Sequence, residues 1–400
     1  MCWNHVGHSF FQSTILVSTV VLLNLKIEKL VPGGEGLARH EGRVVFIPGV
    51  LPGEQVRVET TEMKKDFARA ELREILEPSP DRIKPMCSLA GTCGGCDWLH
   101  IAPQAQAQLK VTVAQDALRR IGGIDWPNLK IETGLSFGYR NRLQLHTNPS
   151  GAVGFLERKG HGFVPVKKCP VAHPAFAPLF EQGASPKSPE RFHAFACNDA
   201  GGKPQLWRGD EKPHAEARVK VLDRELVFPI NGFFQSNLEM LEQLVPYAIE
   251  GLSGDTVFDL YSGVGLFGSF LTPHFRRVVC VESDHETLAL ARRNLGVDDA
   301  AFVAEPVEDM ISDSDAPASW EQPDAVIVDP PREGLDVKVR AWLKRLSVSK
   351  LVYVSCNPVT MARDMKDLLA GPYKLDDLRL FDFYPQTSHI EAVAKLSLKS

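Results

Sequence analysis

No apolar run in these 400 residues is long enough to cross a bilayer. The nearest approach, Ile15–Leu23, falls far short of the roughly 20 residues that a spanning helix needs. That stretch has no Lys or Arg ahead of it and no small-residue cleavage site, which argues against a secretory signal. Residues 1–23 therefore read as a leader of unknown role. There is also no bulk excess of positive charge: the formal net charge is −5, which argues against wholesale coating of nucleic acid. The eight cysteines are too unevenly placed for a disulfide framework, since half of them belong to one set, three within Cys87–Cys96 and a fourth at Cys169. A reducing cytoplasm is the expected location.

What is present points to a soluble globular chain of two or three domains, because 400 residues exceed what one core usually supports. The charge is uneven. Residues 1–170 carry 21 Lys/Arg against 16 Asp/Glu, and the remainder carries 24 against 34. A basic front on an acidic back fits an RNA-gripping portion joined to an enzyme. From Leu25 to about Glu77, short alternating runs are broken by Gly and Pro, as in Pro48-Gly-Val-Leu-Pro-Gly53. That spacing predicts a small closed barrel of the kind that binds oligonucleotides, with Lys64, Lys65, Arg69 and Arg73 along an RNA face or a solvated edge.

Next comes Cys87-x5-Cys93-Gly-Gly-Cys96, with Cys169-Pro170 as the nearest fourth partner. Three clustered thiols plus one distant Cys-Pro favour a [4Fe–4S] cluster over zinc, which usually takes two paired couples. Pro103–Ile121 reads as a helix stopped by Gly122-Gly123. Arg140 and Arg142 fall on one face of a following strand, where they could hold RNA phosphate or a flipped base or serve in salt bridges. Gly183–Glu190 reads as a surface loop, and Phe192–Val227 carries no legible chemistry.

The back half alternates strands and helices. Asp259-Leu-Tyr261-Ser-Gly263-Val-Gly265 is a strand end and glycine turn, and a second strand ends at Glu282 about 20 residues on, where doubly wound folds place a ribose-binding acid. The acid Asp259 ahead of the turn would repel pyrophosphate, so S-adenosylmethionine suits it better than NAD. A fourth strand ends in Asp329-Pro-Pro-Arg332. A fifth, Leu351–Ser355, is cut off by Cys356-Asn-Pro358, leaving a thiol at a strand's carboxyl end. Ala392–Leu396 completes the sheet.

Together with Phe233-Phe-Gln235-x-Asn237 and His389-Ile-Glu391, these motifs make the chain resemble the RNA 5-methyluridine methyltransferases, in particular their iron–sulfur, TRAM-domain branch acting on 23S ribosomal RNA. The resemblance runs from about Leu25 to Leu396. It implies a TRAM/OB-like barrel at 24–80, an α+β central domain at 81–230 with the iron–sulfur cluster on Cys87, Cys93, Cys96 and Cys169, and a doubly wound α/β methyltransferase domain at 231–400. It also implies Cys356 as nucleophile, Glu391 as general base, and S-adenosylmethionine held by Gln235, Tyr261, Gly263, Gly265, Glu282 and Asp329. Arg140 and Phe233 (or Phe234) would meet the RNA, with no membrane or obligate protein partner. Leu266 and Glu305 depart from the pattern, since relatives often carry Asn at both places. The chemistry explains the residue types. Uracil C5 is a poor nucleophile until a thiolate adds at C6, and the C5 proton must then leave to a carboxylate. Transfer RNA as substrate, a cytosine-C5 or exocyclic-amine methyltransferase, and a non-catalytic iron–sulfur RNA-binding protein are the alternatives.

Overall fold

The computed structural model describes residues 21–184, 190–199, 201–211, 215–311 and 322–399. The leader read over residues 1–23, up to residue 20, and most of the 183–190 loop lie outside them. The chain forms two units. One ends at Val31 and resumes over Glu35–Pro80, and the other takes Pro32–Gly34 and Asp81–Ser400. Among the described residues no helix is long and apolar enough to cross a membrane.

The smaller unit is one six-stranded sheet in the order Leu22–Lys26, Gln55–Met63, Phe67–Glu77, Arg43–Ile47, Gly36–His40 and Lys29–Leu30. The two ends of that order are separated in the chain only by Ile27 and Glu28. Ile27 N donates to Glu54 O at 2.9 Å and Glu28 N to Leu37 O at 2.8 Å, so the sheet closes on itself. Strand alternation turns Leu25, Val45, Ile47, Val56 and Val58 inward, none more than 4% exposed. Leu22 and Leu23 pair with Glu59 and Val58, so the first strand starts inside the stretch expected to be leader. Three of the four cations expected along an RNA face have acidic partners: Arg69 with Glu35 at 2.6 Å, Arg73 with Glu59 at 2.7 Å and Lys64 with Glu62 at 3.1 Å. Exposed pairs of this kind contribute little to stability.

The larger unit is built on an eight-stranded sheet. Its order is Ala300–Val303, Phe275–Val281, Gly254–Leu260, Ala325–Val328, Lys350–Ser355, Glu391–Leu398, Tyr373–Phe381 and Lys130–Glu132. The first five strands run parallel. Ala325–Val328 is no more than 1% exposed, as expected of a strand covered on both faces. Glu391–Leu398 then runs antiparallel to Lys350–Ser355, with Ser355 opposite Ala392. Tyr373–Phe381 was not anticipated. A register shift between Leu375 and Asp377 breaks the alternation that would have marked it.

Lys130–Glu132 pairs with Tyr373–Phe381, so a strand from the front half completes this sheet. The boundary expected at 230 falls inside the unit. The remaining front-half strands form a five-stranded antiparallel sheet centred on Arg142–Thr147, and a hairpin of Glu216–Val221 with Arg224–Pro229. The helix Pro103–Ala117 continues as a π-helical turn over Leu118–Gly122 and stops at Gly123, whose φ of 66° suits glycine.

The loop after Asp329 is tied down by Asp364, which is 0% exposed. It accepts from Leu335 N at 2.8 Å, Tyr353 Oη at 2.7 Å and Arg340 Nη1 at 2.9 Å. Asp364→Ala would leave Arg340 short of a buried partner, at a cost of about 3 kcal/mol. The check is a urea titration: the midpoint should fall with an unchanged slope.

Candidate active site

Cys356 lies between the last strand residue, Ser355, and Asn357, the cap of the helix Pro358–Ala370. Asn357 Oδ1 accepts from Val359 N at 3.0 Å, and Pro358 occupies the first helical turn, where a missing N–H is harmless. Asn357 Nδ2 and Thr360 Oγ1 both donate to Arg332 O, at 3.0 and 3.1 Å, and so bind the Asp329–Arg332 loop to the thiol's own turn. Because Ser355 faces Ala392, the next residues outward on the two strands are Cys356 and Glu391. Both leave the sheet at the same end.

That end opens into a cavity of about 750 Å3. Among the expected residues, Gln235, Tyr261, Gly263, Glu282, Asp329, Cys356 and Glu391 all line it. Phe233 lines it too and is 70% exposed, whereas Phe234 is buried, stacked on Phe228 at 4.1 Å. Phe234 lines the cavity too, but of the two Phe233 is the ring exposed enough to stack on a base.

The glycine turn is built from left-handed residues: Tyr261, Gly263 and Gly265 have φ of 62°, 54° and 75°. Gly265 does not line the cavity. A Cβ there would stand 2.7 Å from Leu295 Cδ1, so its role is close packing against the helix His285–Leu295. Gly263 N donates to Glu282 Oε2 at 3.1 Å, and Tyr261 Oη donates to Glu308 Oε1 at 3.0 Å. Pro306, Val307 and Glu308 form the edge where Glu305 was expected to matter.

Asp259 corrects another expectation. It lies beneath the turn, 1% exposed, and accepts from Gly268 N at 2.7 Å rather than facing a ligand. Glu282 and Asp329 carry the negative charge into the cavity instead.

Burial sets the electrostatics. It pushes the Asp329 carboxyl up to about 7 and raises Glu391 well above the usual carboxylate range, where Asp329 pushes it further and Arg332 opposes. The Cys356 thiol is pushed up to about 11, first by burial and then by Glu391, while the Arg332 guanidinium, a donor to the sulfur, holds it down. Several acids thus share a low-dielectric cavity with one nearby guanidinium, an arrangement that favours a cationic ligand. Gln235 Oε1 is buried there with no hydrogen-bond partner, a further position for a ligand donor. The size, the acids and this orphaned acceptor suit a sulfonium-bearing nucleoside. Arg332, His389, Tyr384 and Glu308 also line the cavity. Arg332 and His389 stood inside recognised motifs without a role, and no sequence signal marks Tyr384 or Glu308.

A second, smaller cavity of about 110 Å3 is lined by Cys87, Cys93, Cys96 and Cys169. Arg140, expected at the RNA, lines this one. Arg142, its expected companion, turns its guanidinium to Gly232 O. Gly95 N donates to Cys93 Sγ at 3.4 Å, and the Val171 and Ala172 amides serve Cys169. Even so, among the described residues no group of three or more His, Cys, Asp or Glu side chains is disposed to hold a metal ion.

Residues 318–399 match the model of the tRNA (Uracil-5-)-methyltransferase family, and residues 22–72 match that of the TRAM domain. An uncharacterized RNA methyltransferase of Treponema denticola is 31% identical over 400 residues, covering 92% of this chain and 97% of the relative. The 23S rRNA (uracil(1939)-C(5))-methyltransferase RlmD of Photorhabdus laumondii is 31% identical over 428 residues, covering 94% of this chain and 96% of its own. Among solved structures, the Pyrococcus abyssi tRNA (uracil-54, C5)-methyltransferase in complex with S-adenosyl-L-homocysteine superposes with a TM-score of 0.70 at 26% identity, covering 94% of this chain and 100% of that one.

Burial, seconded by Glu391, should make Cys356 a slow thiol at neutral pH. Its alkylation by iodoacetamide should rise with pH toward an inflection near 11. Glu391→Gln removes the second cause of the raised value and should move the inflection down. Peptide mass mapping of the alkylated site checks this, and an unmoved inflection would place the carboxylate away from the sulfur.

Proposed function

The chain belongs to the RNA uracil-C5 methyltransferase family, and on that footing we propose that it methylates C5 of a uridine in 23S ribosomal RNA, in the cytoplasm, with Cys356 as nucleophile and Glu391 as general base. The observation that carries the reading is the strand register that delivers the thiol and the carboxyl side by side to one wall of a ligand-sized cavity. S-adenosylmethionine, when bound, supplies the activated methyl group. Gln235, Tyr261, Gly263, Glu282 and Asp329 would hold it, with Gly265 shaping the turn.

The Cys356 thiolate would add to C6 of the flipped-out uracil, forming a C–S bond and leaving an electron pair at C5 that takes the methyl group as the sulfonium's S–C bond breaks and its sulfur is left a neutral thioether. Glu391 then takes the C5 proton, the C6–S bond breaks, and the thiolate is restored. Arg332 suits the thiolate stage, since it is the cation that lowers the sulfur's proton affinity. Phe233, projecting from the cavity wall, would stack on the extruded base.

Ribosomal RNA is favoured because RlmD relatives span nearly the whole chain. Transfer RNA is the second reading, since the Pyrococcus protein acts on it. The four cysteines suit a [4Fe–4S] cluster better than zinc. The four line a common cavity, Cys93 and Cys169 accept amide hydrogen bonds, and three clustered cysteines with one distant Cys-Pro are the spacing of such a cluster. Arg140 would be the cation facing that cluster.

Cys356→Ala should abolish methylation and any covalent RNA adduct. Glu391→Gln should still form the adduct yet release the C5 proton at least 100-fold more slowly, in line with loss of a general base. Tritium release from 5-tritiated uridine in a 23S fragment and in transfer RNA, scored beside adduct gels, tests the chemistry and the substrate together. Turnover by Cys356→Ala would remove it as nucleophile. Iron and acid-labile sulfide in the purified protein should be lost on Cys93→Ala, and stoichiometric zinc would overturn the cluster.

A further inference from the structure

Glu391 opens its strand directly after an irregular segment, residues 382–390, which also carries Tyr384 and His389 into the cavity. Loops are ordinarily the mobile parts of a fold. This one is held by side chains from elsewhere in the chain, chiefly the helix Pro103–Ala117. Lys110 Nζ donates to Asp382 Oδ1 at 2.6 Å and to Tyr384 O at 3.0 Å. Gln106 Nε2 donates to Gln386 Oε1 at 3.1 Å, and Gln386 N donates to Gln106 Oε1 at 2.8 Å, a reciprocal amide pair. Trp98 N donates to Gln386 O at 3.0 Å, Ser388 N to Asp97 Oδ1 at 2.9 Å, and Tyr139 Oη to Pro385 O at 2.8 Å.

Two features of this strap are costly unless something needs them. The Lys110 side chain is 1% exposed and Asp382 7%, a buried ion pair that desolvation makes a poor source of stability. Gln386, 1% exposed, sits at φ 68°, a left-handed conformation that non-glycine residues hold only where their surroundings over-determine it. Both lie in the loop that aims the proposed base.

We infer that Gln106 and Lys110 are positioning residues for methyl transfer: they fix the 382–388 loop in the conformation that brings Glu391 to the C5 face of the bound uracil. The inference rests on the reading of Glu391 as base. Lys110 lines a small cavity beside Cys356, but the hydrogen bonds of Gln106 and Lys110 go to the 382–386 loop and the 98–101 turn and not to the strand and helix cap that carry the thiol, so Cys356 should still reach C6 without them. Their loss should therefore fall on proton removal and spare adduct formation.

The test compares Gln106→Leu, Lys110→Met and the double variant Lys110→Met/Asp382→Leu in the full-length protein. The double variant removes both buried charges, so it folds even where Lys110→Met alone leaves Asp382 stranded. Two rates are read: adduct formation on RNA carrying 5-fluorouridine, whose C5 has no proton to lose, and tritium release from 5-tritiated uridine. Adduct formation should stay within about threefold of the parent, while tritium release falls by about 30- to 100-fold, the scale of a roughly 1 Å misplacement. The parent-like RNA adduct should then accumulate during turnover. Tritium release at the parent rate in a folded double variant would overturn the inference, as would both rates falling in equal proportion. Glu391→Gln serves as the reference. If it too releases tritium normally, the base assignment has failed; if it stalls while the strap variants do not, only the positioning role has failed.

Discussion

Ser355 and Ala392 face each other across an antiparallel ladder, and the site depends on that pairing. Without the Glu391–Leu398 strand inserted next to Lys350–Ser355, the thiol would stand at a parallel strand end with no carboxyl beside it. A slip of one residue would turn Glu391 to the other face of the sheet, because side chains alternate. The slip is opposed by burial on both faces: Leu351–Val354 and Ala392–Val393 are no more than 2% exposed. The ordinary hydrophobic packing of the sheet thus fixes the geometry on which the proposed chemistry relies.

The same burial accounts for the site's charge. Asp329 and Glu391 sit where water cannot stabilise their ionised forms, so each holds its proton more tightly than in solution. Arg332 compensates only in part. A cationic sulfonium ligand would complete the balance and would let the carboxyls ionise as it arrived. A proton-hungry Glu391 also suits the removal of a weakly acidic C5 proton better than an ordinary surface carboxylate would. Burial thus holds protons on both the carboxyl and the thiol, with Arg332 opposing it at each, which suits the roles proposed for them.

Much of this was legible in the residues. Cys356 at a strand end, cut short by Asn357-Pro358, was readable because proline and the cap residue have local consequences that need no tertiary knowledge. Glu282 was readable from spacing. Asp259 was read as a charge facing the ligand, yet it turns under the loop to an amide of Gly268, since sequence does not tell which face of a strand's last residues looks inward. Arg140, read as an RNA contact, lines the cysteine cavity, a placement that the sequence did not signal. Tyr373–Phe381 escaped because a bulge breaks its alternation, and Lys130–Glu132 because three residues carry too little pattern.

The boundary read at 230 lies inside the larger unit, for a reason that bears on the site. Residues 81–230 supply a strand to the sheet, and the segment immediately after Cys96 supplies Asp97 and Trp98 to the loop before Glu391. Tyr139, next to Arg140 of the cysteine cavity, reaches Pro385. The cysteine-bearing segment and the strand that carries Glu391 are therefore joined by one set of hydrogen bonds. Residues 382–388 are thus held in part by neighbours of the cysteine-bearing turn, so a change in that turn reaches the loop through Asp97 and Trp98.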